Sequence, residues 1–238
     1  MSAMTESGAG RLLGALVAPG ETFRSLAGRP TWLAPLLVMV LSATVVGWMV
    51  SSRLDLAPVI RHRLEASGSQ VSAEQAEHGI EMAKKLTPYL ALFQGLVAAP
   101  AVYLLAALLL WIGCRLVGSE MGYRASFATT LHGLLPLAVG ALLAIPVLWN
   151  HGTLTPEEAR SGSFLVSNLA AAAPAGAGPV ARALLGSVDL FSLWAIVLLI
   201  IGCRIVARIS RAAAVGVVAG LWLLGVAVKV ALAAVAPG

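Results

Sequence analysis

Runs of about 20 apolar residues constrain this chain more than any other feature of it. Five such runs, about 32–50, 88–114, 126–149, 184–206 and 212–235, are separated by short turns or by polar loops. A helix rises about 1.5 Å per residue, so each run matches a hydrocarbon layer of roughly 30 Å. Inside that layer every backbone N–H and C=O must be satisfied within the segment, which selects the helix. Of the 238 residues, 59% are hydrophobic and 11% are charged, against about a quarter charged in soluble domains. A soluble enzyme is thereby excluded. The expected fold is all-α: a polytopic transmembrane bundle of five spans, residues 32–238, preceded by a cytoplasmic segment, 1–31.

The segment before the first span reads as amphipathic. Leu12, Leu13, Leu16 and Val17 recur at helical spacing, Pro19-Gly20 interrupts them, and Phe23 with Leu26 forms a second apolar face. The apolar stretch after Arg11 is too short for a signal peptide and no cleavage site follows, so an interfacial helix lying on the bilayer is expected. Trp32 stands where an interfacial anchor belongs. In the polar segment after the first span, Ser72 and Gln75 have the spacing of a capping box, and Glu81 with Lys85 that of an i, i+4 pair. The stretch Ala170 to Pro179 is low-complexity and is expected to be flexible.

Charge placement bears on orientation. Arg11, Arg24, Arg29, Arg115, Arg124, Arg204, Arg208 and Arg211 share one side with Glu6, Glu21 and Glu120, while the two long loops opposite balance seven basic against seven acidic residues. The arginines crowd the short turns, which places them and the N-terminus in the cytoplasm and the C-terminus outside. Thirteen arginines against three lysines suggest a GC-rich, bacterial coding bias and hence a bacterial inner membrane. The positive charges serve the membrane, so no nucleic acid partner is expected. Two cysteines, Cys114 and Cys203, are too few for a disulfide framework.

Ile112-Gly-Cys-Arg-Leu-Val117 closes the second run and Ile201-Gly-Cys-Arg-Ile-Val206 the fourth, 89 residues on, with five of six positions identical. Each precedes a basic turn and a further span, as in two parallel hairpins, spans 2–3 and 4–5. Ionisable residues inside spans are functional candidates because charge in hydrocarbon is costly. His132, Asp189 and Lys229 qualify. Asp189 and Lys229 lie equidistant from the last turn, which predicts an ion pair near the outer interface, either a structural clamp or part of a pathway. Arg204, Arg208 and Arg211, at i, i+4 and i+7, would share one helix face, setting topology or gripping anionic lipid headgroups. Gly216 and Gly220 form a GxxxG, expected to serve packing within the chain, with a dimer face as the other use.

No nucleophile–base arrangement, phosphate loop or zinc motif is present, so neither catalysis nor a cofactor is expected. Glu74, Glu77, His78 and Glu81 read as a solvated helix face rather than a metal site. The cysteines read as packing residues.

Three stretches together resemble a known family: Ala18-Pro-Gly-Glu-Thr-Phe23 with Arg29-Pro-Thr-Trp-Leu-Ala-Pro35; Gly122-Tyr-Arg with Leu134-Leu-Pro136; and Asp189-Leu-Phe-Ser-Leu-Trp continuing to Gly202. The chain is similar to bacterial members of the Yip family, the five-span Ypt-interacting proteins. That resemblance implies a five-helix integral membrane protein with a cytoplasmic N-terminus. Eukaryotic relatives contact small GTPases and shape membranes. The long N-terminal region and the Asp-Leu-Tyr-Gly-Pro motif of those relatives are missing, so a GTPase partner is not expected. The resulting expectation is a non-enzymatic membrane protein acting through lipid contact, membrane organisation, or a second copy or membrane-protein partner. A small transporter or channel built on the hairpin repeat is the alternative.

Overall fold

A computed structural model of the chain describes residues 8–66, 72–174 and 176–235. Glu6 of the charge sum and position 175 of the low-complexity stretch lie outside the described residues. Two short helices, α1 (Gly8–Val17) and α2 (Pro19–Gly28), precede α3 (Leu33–Arg53) and the polar α4 (Ala57–Ala66). Then α5 (Ala73–Phe93), a π-helical turn (Gln94–Ala98) and α6 (Ala99–Leu116) form one rod. After it come α7 (Tyr123–Gly133), α8 (Leu135–Asn150), α9 (Pro156–Ser161), a 3₁₀ turn (Leu169–Ala172), α10 (Pro179–Leu185), α11 (Leu190–Val206) and α12 (Arg211–Val235).

Among the described residues four helical stretches are long and apolar enough to cross a membrane: Leu33–Arg53, Glu74–Leu116, Tyr123–Asn150 and Arg211–Val235. α11, with 17 residues, is shorter. The fourth run thus differs from its expected extent, because Leu184 belongs to α10 and Asp189 is the cap of α11 rather than part of a span. The rod Glu74–Leu116 has 43 residues, about 65 Å of helix, so its polar N-terminal half projects beyond the hydrocarbon. Ser72 caps it in a box with Gln75, each side chain meeting the other's backbone N–H.

Prolines bend the spans where packing needs it. Pro100 has no N–H for the carbonyl four residues back, and the π-turn just before it absorbs the mismatch. Gly95 in that turn is buried, and a methyl there would come within 2.7 Å of Thr44 Cα, so its missing side chain lets α3 lie close. Pro136 similarly splits the third span at Leu134 into α7 and α8.

Residues 8–31, expected to lie on the bilayer, pack against the bundle. Phe23 and Leu26 are fully buried, in one core cluster with Leu198, Cys203 and Val218. In α1 the buried residues are Arg11 and Ala15, whereas Leu13 and Val17 of the expected apolar face point outward. Arg11 donates to the Arg29 carbonyl at 3.1 Å and to the Thr31 hydroxyl at 2.9 Å, tying α1 to the start of α3. Trp32 lies against Phe127 of α7, ring centroids 5.8 Å apart.

The two hairpins pack reciprocally. Cys114 and Cys203, both fully buried, meet with their sulfurs 3.9 Å apart where α6 crosses α11. Beside them, a methyl on Gly113 would lie 2.8 Å from Val217 Cγ1 of α12, and one on Gly202 would lie 2.7 Å from Thr129 Cγ2 of α7. Each repeat's glycine therefore receives the second helix of the other hairpin. Gly216 and Gly220, on the same helix as Val217, face outward, and an added methyl on either meets nothing within 4 Å. The expected packing of this GxxxG within the chain is not what the fold uses, because Val217 and Val218 turn α12's other face inward.

Gly113→Ala should lower stability in detergent by about 1–3 kcal/mol through overpacking. Val217→Ala in the same chain should restore most of it. Thermal unfolding of the two variants checks both statements.

Candidate functional site

The residues singled out in the sequence separate into three places. His132 is fully buried in α7, its Nδ1 donating to the Ala128 carbonyl at 2.8 Å. Its Nε2 and the hydroxyls of Thr129 and Thr130 are buried without a hydrogen-bond partner. The Arg11 guanidinium lies within electrostatic reach of this ring. Gly133, the next residue, receives Leu199 so closely that a methyl would lie 2.8 Å from its Cγ. This group of polar atoms is walled by side chains and lines neither of the chain's two large cavities.

At the arginine-rich end, Arg204, Arg208 and Arg211 are all exposed. They do not share one helix face as the spacing predicted, because α11 ends at Val206 and α12 starts at Arg211. Arg208 sits between them with φ +54°, the left-handed backbone that reverses the chain there. The turn between α6 and α7 uses a glycine for the same purpose, Gly118 at φ +90°. An arginine in that conformation is strained by about 1–2 kcal/mol.

Asp189 and Lys229 stand at the opposite end, under a cap built from residues 151–189. They are not in direct contact: the ion pairs within 4.0 Å among the described residues are Arg61–Glu77 and Arg182–Glu157. The Asp189 carboxylate is committed elsewhere, accepting from the Phe191 and Ser192 amides at 2.6 and 3.0 Å. Those amides open α11 and have no partner in the helix, so an aspartate cap satisfies them. Asp189 still acts electrostatically on Lys229. Lys229 reaches the end of α10, where a methyl on Gly186 would lie 3.5 Å from its Nζ. Glu81 and Lys85 form no pair either; Glu77 binds Arg61 of α4 at 3.0 Å instead.

The described residues of the cap, including those of the stretch expected to be flexible, make polar contacts of their own. Arg182 donates to the Ala177 carbonyl at 2.9 Å and pairs with Glu157 at 2.7 Å, pinning the alanine-rich stretch. Leu169 and Leu190 amides bond to the Val188 and Ser167 carbonyls, fastening the loop to the start of α11. Thr155 and Glu158 form a capping box on α9, a pattern readable in the sequence as Thr-Pro-Glu-Glu but unused there. The Thr155 amide, and then its hydroxyl, hold the Glu158 carboxyl below its ordinary value of 4.5. This box fixes α9 and with it Arg160 and Ser161.

Two cavities open beneath the cap. The first, about 680 Å³, runs between α3, the α5–α6 rod and α8, from Asp189, Asn168 and Arg160 at the cap down to Ala43, Gln94 and Leu137. Exposed Leu90 and Gln94 in its wall open it toward the outer surface of the bundle. The second, about 770 Å³, lies between α4, α9, α10 and α12, and Lys229, Arg182, His62 and Glu157 line it with Leu232 and Val59. Arg160 and Ser161 line both cavities. Gln94 and Arg160 went unnoticed in the sequence. A glutamine within an apolar run is a signal for the first, whereas one arginine in a polar loop carries none.

The Yip1 domain model matches residues 13–232, from the middle of α1 almost to the end of α12. The chain belongs to the Yip1 domain family. No curated protein and no solved structure matches it. The Yip1 match crosses residue 31 without a break, as does the packing of α2 into the bundle. It also spans both hairpins and the cap between them, so the first cavity lies within the Yip1 domain and the second does so up to Leu232.

Two outcomes follow. A depressed carboxyl contributes stability that is present above its unfolded value and lost as pH falls through its folded value. Thermal stability of the wild type should therefore drop faster than that of Glu158→Gln as pH is lowered below about 4.5. Arg208→Gly should raise stability by about 1 kcal/mol, read from the same melts, because glycine takes the left-handed turn without strain.

Proposed function

We propose that this Yip1-family membrane protein is non-enzymatic and works by holding lipid within its bundle. The observation that carries this reading is the first cavity. Its deep walls are apolar (Val46, Val50, Leu90, Leu137), its cap end is polar (Arg160, Asn168, Asp189), and it opens beside α5. A single amphiphile with its chain among the helices and its head under the cap suits such a graded lining. The arginine-rich end lies in the cytoplasm and the capped end outside, a disposition supported by the crowding of arginines at the short turns. Arg204, Arg208 and Arg211 then meet anionic headgroups of the inner leaflet, each worth about 1 kcal/mol. The strained Arg208 supports this, since glycine would serve the turn better and only the charge favours arginine.

The transporter reading needs a polar route to the arginine-rich end. The sealed packing around His132 and the buried crossing of Cys114 on Cys203 weigh against it.

The chain purified in mild detergent should carry about one tightly held lipid, seen by native mass spectrometry. Ala91→Trp, which fills the first cavity from α5, should remove that lipid while the protein stays folded. A wild type free of lipid, or an A91W variant that binds it equally well, would overturn the reading.

A further inference from the structure

Lys229 presents a chemical problem that the lipid-holding reading does not solve. It lies on an otherwise apolar helix, is only partly exposed, and makes no hydrogen bond or ion pair among the described residues. The carboxylate that acts on it electrostatically, Asp189, makes no contact with it and binds the α11 cap amides through Oδ1. A half-buried ammonium without a contact partner is costly. The second cavity, which Lys229 lines, contains one carboxylate among the described residues, Glu157, and that is already paired to Arg182 at 2.7 Å. Arg160 lines the same cavity and makes no ion pair within 4.0 Å. Two cations thus border one cavity with no carboxylate among the described residues within 4.0 Å of either. Thr155 and Ser161 supply hydroxyls beside them, and Leu232 and Val59 supply apolar walls.

We propose that the second cavity binds the phosphate of an anionic lipid headgroup, clamped between Lys229 and Arg160. The inference rests on the lipid-holding reading and assigns the head of the lipid whose chain occupies the first cavity. Arg160 and Ser161 line both cavities, so one molecule can place its phosphate on one side of them and an acyl chain on the other. Guanidinium and ammonium together match a phosphate's charge and its several acceptor oxygens. The α9 capping box and the Arg182–Glu157 pair hold the helix that carries Arg160, whose exposed side chain is left to reach the ligand. A soluble phosphate offers the same oxygens but gains nothing from the apolar walls, which is why a lipid is the occupant assigned here.

The test uses the full chain in detergent, titrated with phosphatidylglycerol or with diacylglycerol of the same chains, bound lipid being counted by native mass spectrometry. Wild type should hold phosphatidylglycerol at least about tenfold more tightly than diacylglycerol. Lys229→Gln and Arg160→Gln should each cost about five- to tenfold, with Lys229→Arg recovering most of the loss. Lys84→Gln, at an exposed residue that lines neither cavity, should leave this binding unchanged. Unfolding curves identify any variant that fails to fold, and the arginine rescue keeps Lys229 testable in that event. Equal binding of the two lipids, or K229Q and R160Q without effect while A91W still abolishes binding, would overturn the headgroup site and leave the lipid-holding reading standing. Loss of all lipid binding in the wild type would instead remove the reading on which it rests. Complete displacement of phosphatidylglycerol by millimolar inorganic phosphate would overturn the lipid as occupant and assign the clamp to a free anion.

Discussion

The reciprocal packing of the two hairpins, α12 on α6 and α7 on α11, is the contact on which the rest of the bundle depends. Apolar side chains gain little by leaving lipid for one another, so helices in a bilayer are held by close packing of small residues. Gly113 supplies that closeness between α6 and α12 and Gly202 between α11 and α7, while Cys114 and Cys203 meet between the two hairpins at 3.9 Å. α12 sits in the Gly113 notch and α7 in the Gly202 notch. Phe23, which also borders Gly202, brings the N-terminal helices into the same core. The repeat in the sequence is thus a repeat of contacts: each copy offers a notch to the other's partner helix.

The capped end follows from a shortage of helix. α11 has 17 residues, too few to cross with room to spare, so its first turn begins beneath the surface of the cap. Its amides there cannot rely on water, and the Asp189 carboxylate takes them. That commitment separates Asp189 from Lys229 and leaves the lysine facing a cavity. The charge that looked like half of a clamp is therefore the group most in need of a ligand.

Much of this was legible along the chain. The apolar runs identified the membrane class and located the helices to within several residues, and Ser72 with Gln75 marked a true cap. The Gly-Cys-Arg repeat marked the two helices that cross. Less legible were the features that arise where distant segments meet. Leu12, Leu13, Leu16 and Val17 suggested a face for the bilayer, yet Arg11 and Ala15 are what the bundle buries. Regular spacing put Arg204, Arg208 and Arg211 on one face, because nothing local announced that the helix would stop at Val206. Nothing in the alanine-rich stretch announced that Arg182 would meet both its Ala177 carbonyl and Glu157, which lies far off in sequence.

Hydropathy and spacing alone determined that the chain enters a membrane, that it does so as helices, and that two of its hairpins are alike. These are properties of single segments against a solvent, and a helix in hydrocarbon satisfies its own backbone without consulting its neighbours. Which face of each helix turns inward, whether a glycine pair packs or stays open, and which charges find partners were decided only by the tertiary structure. Those outcomes depend on distances between segments many residues apart, which only the packed helices set.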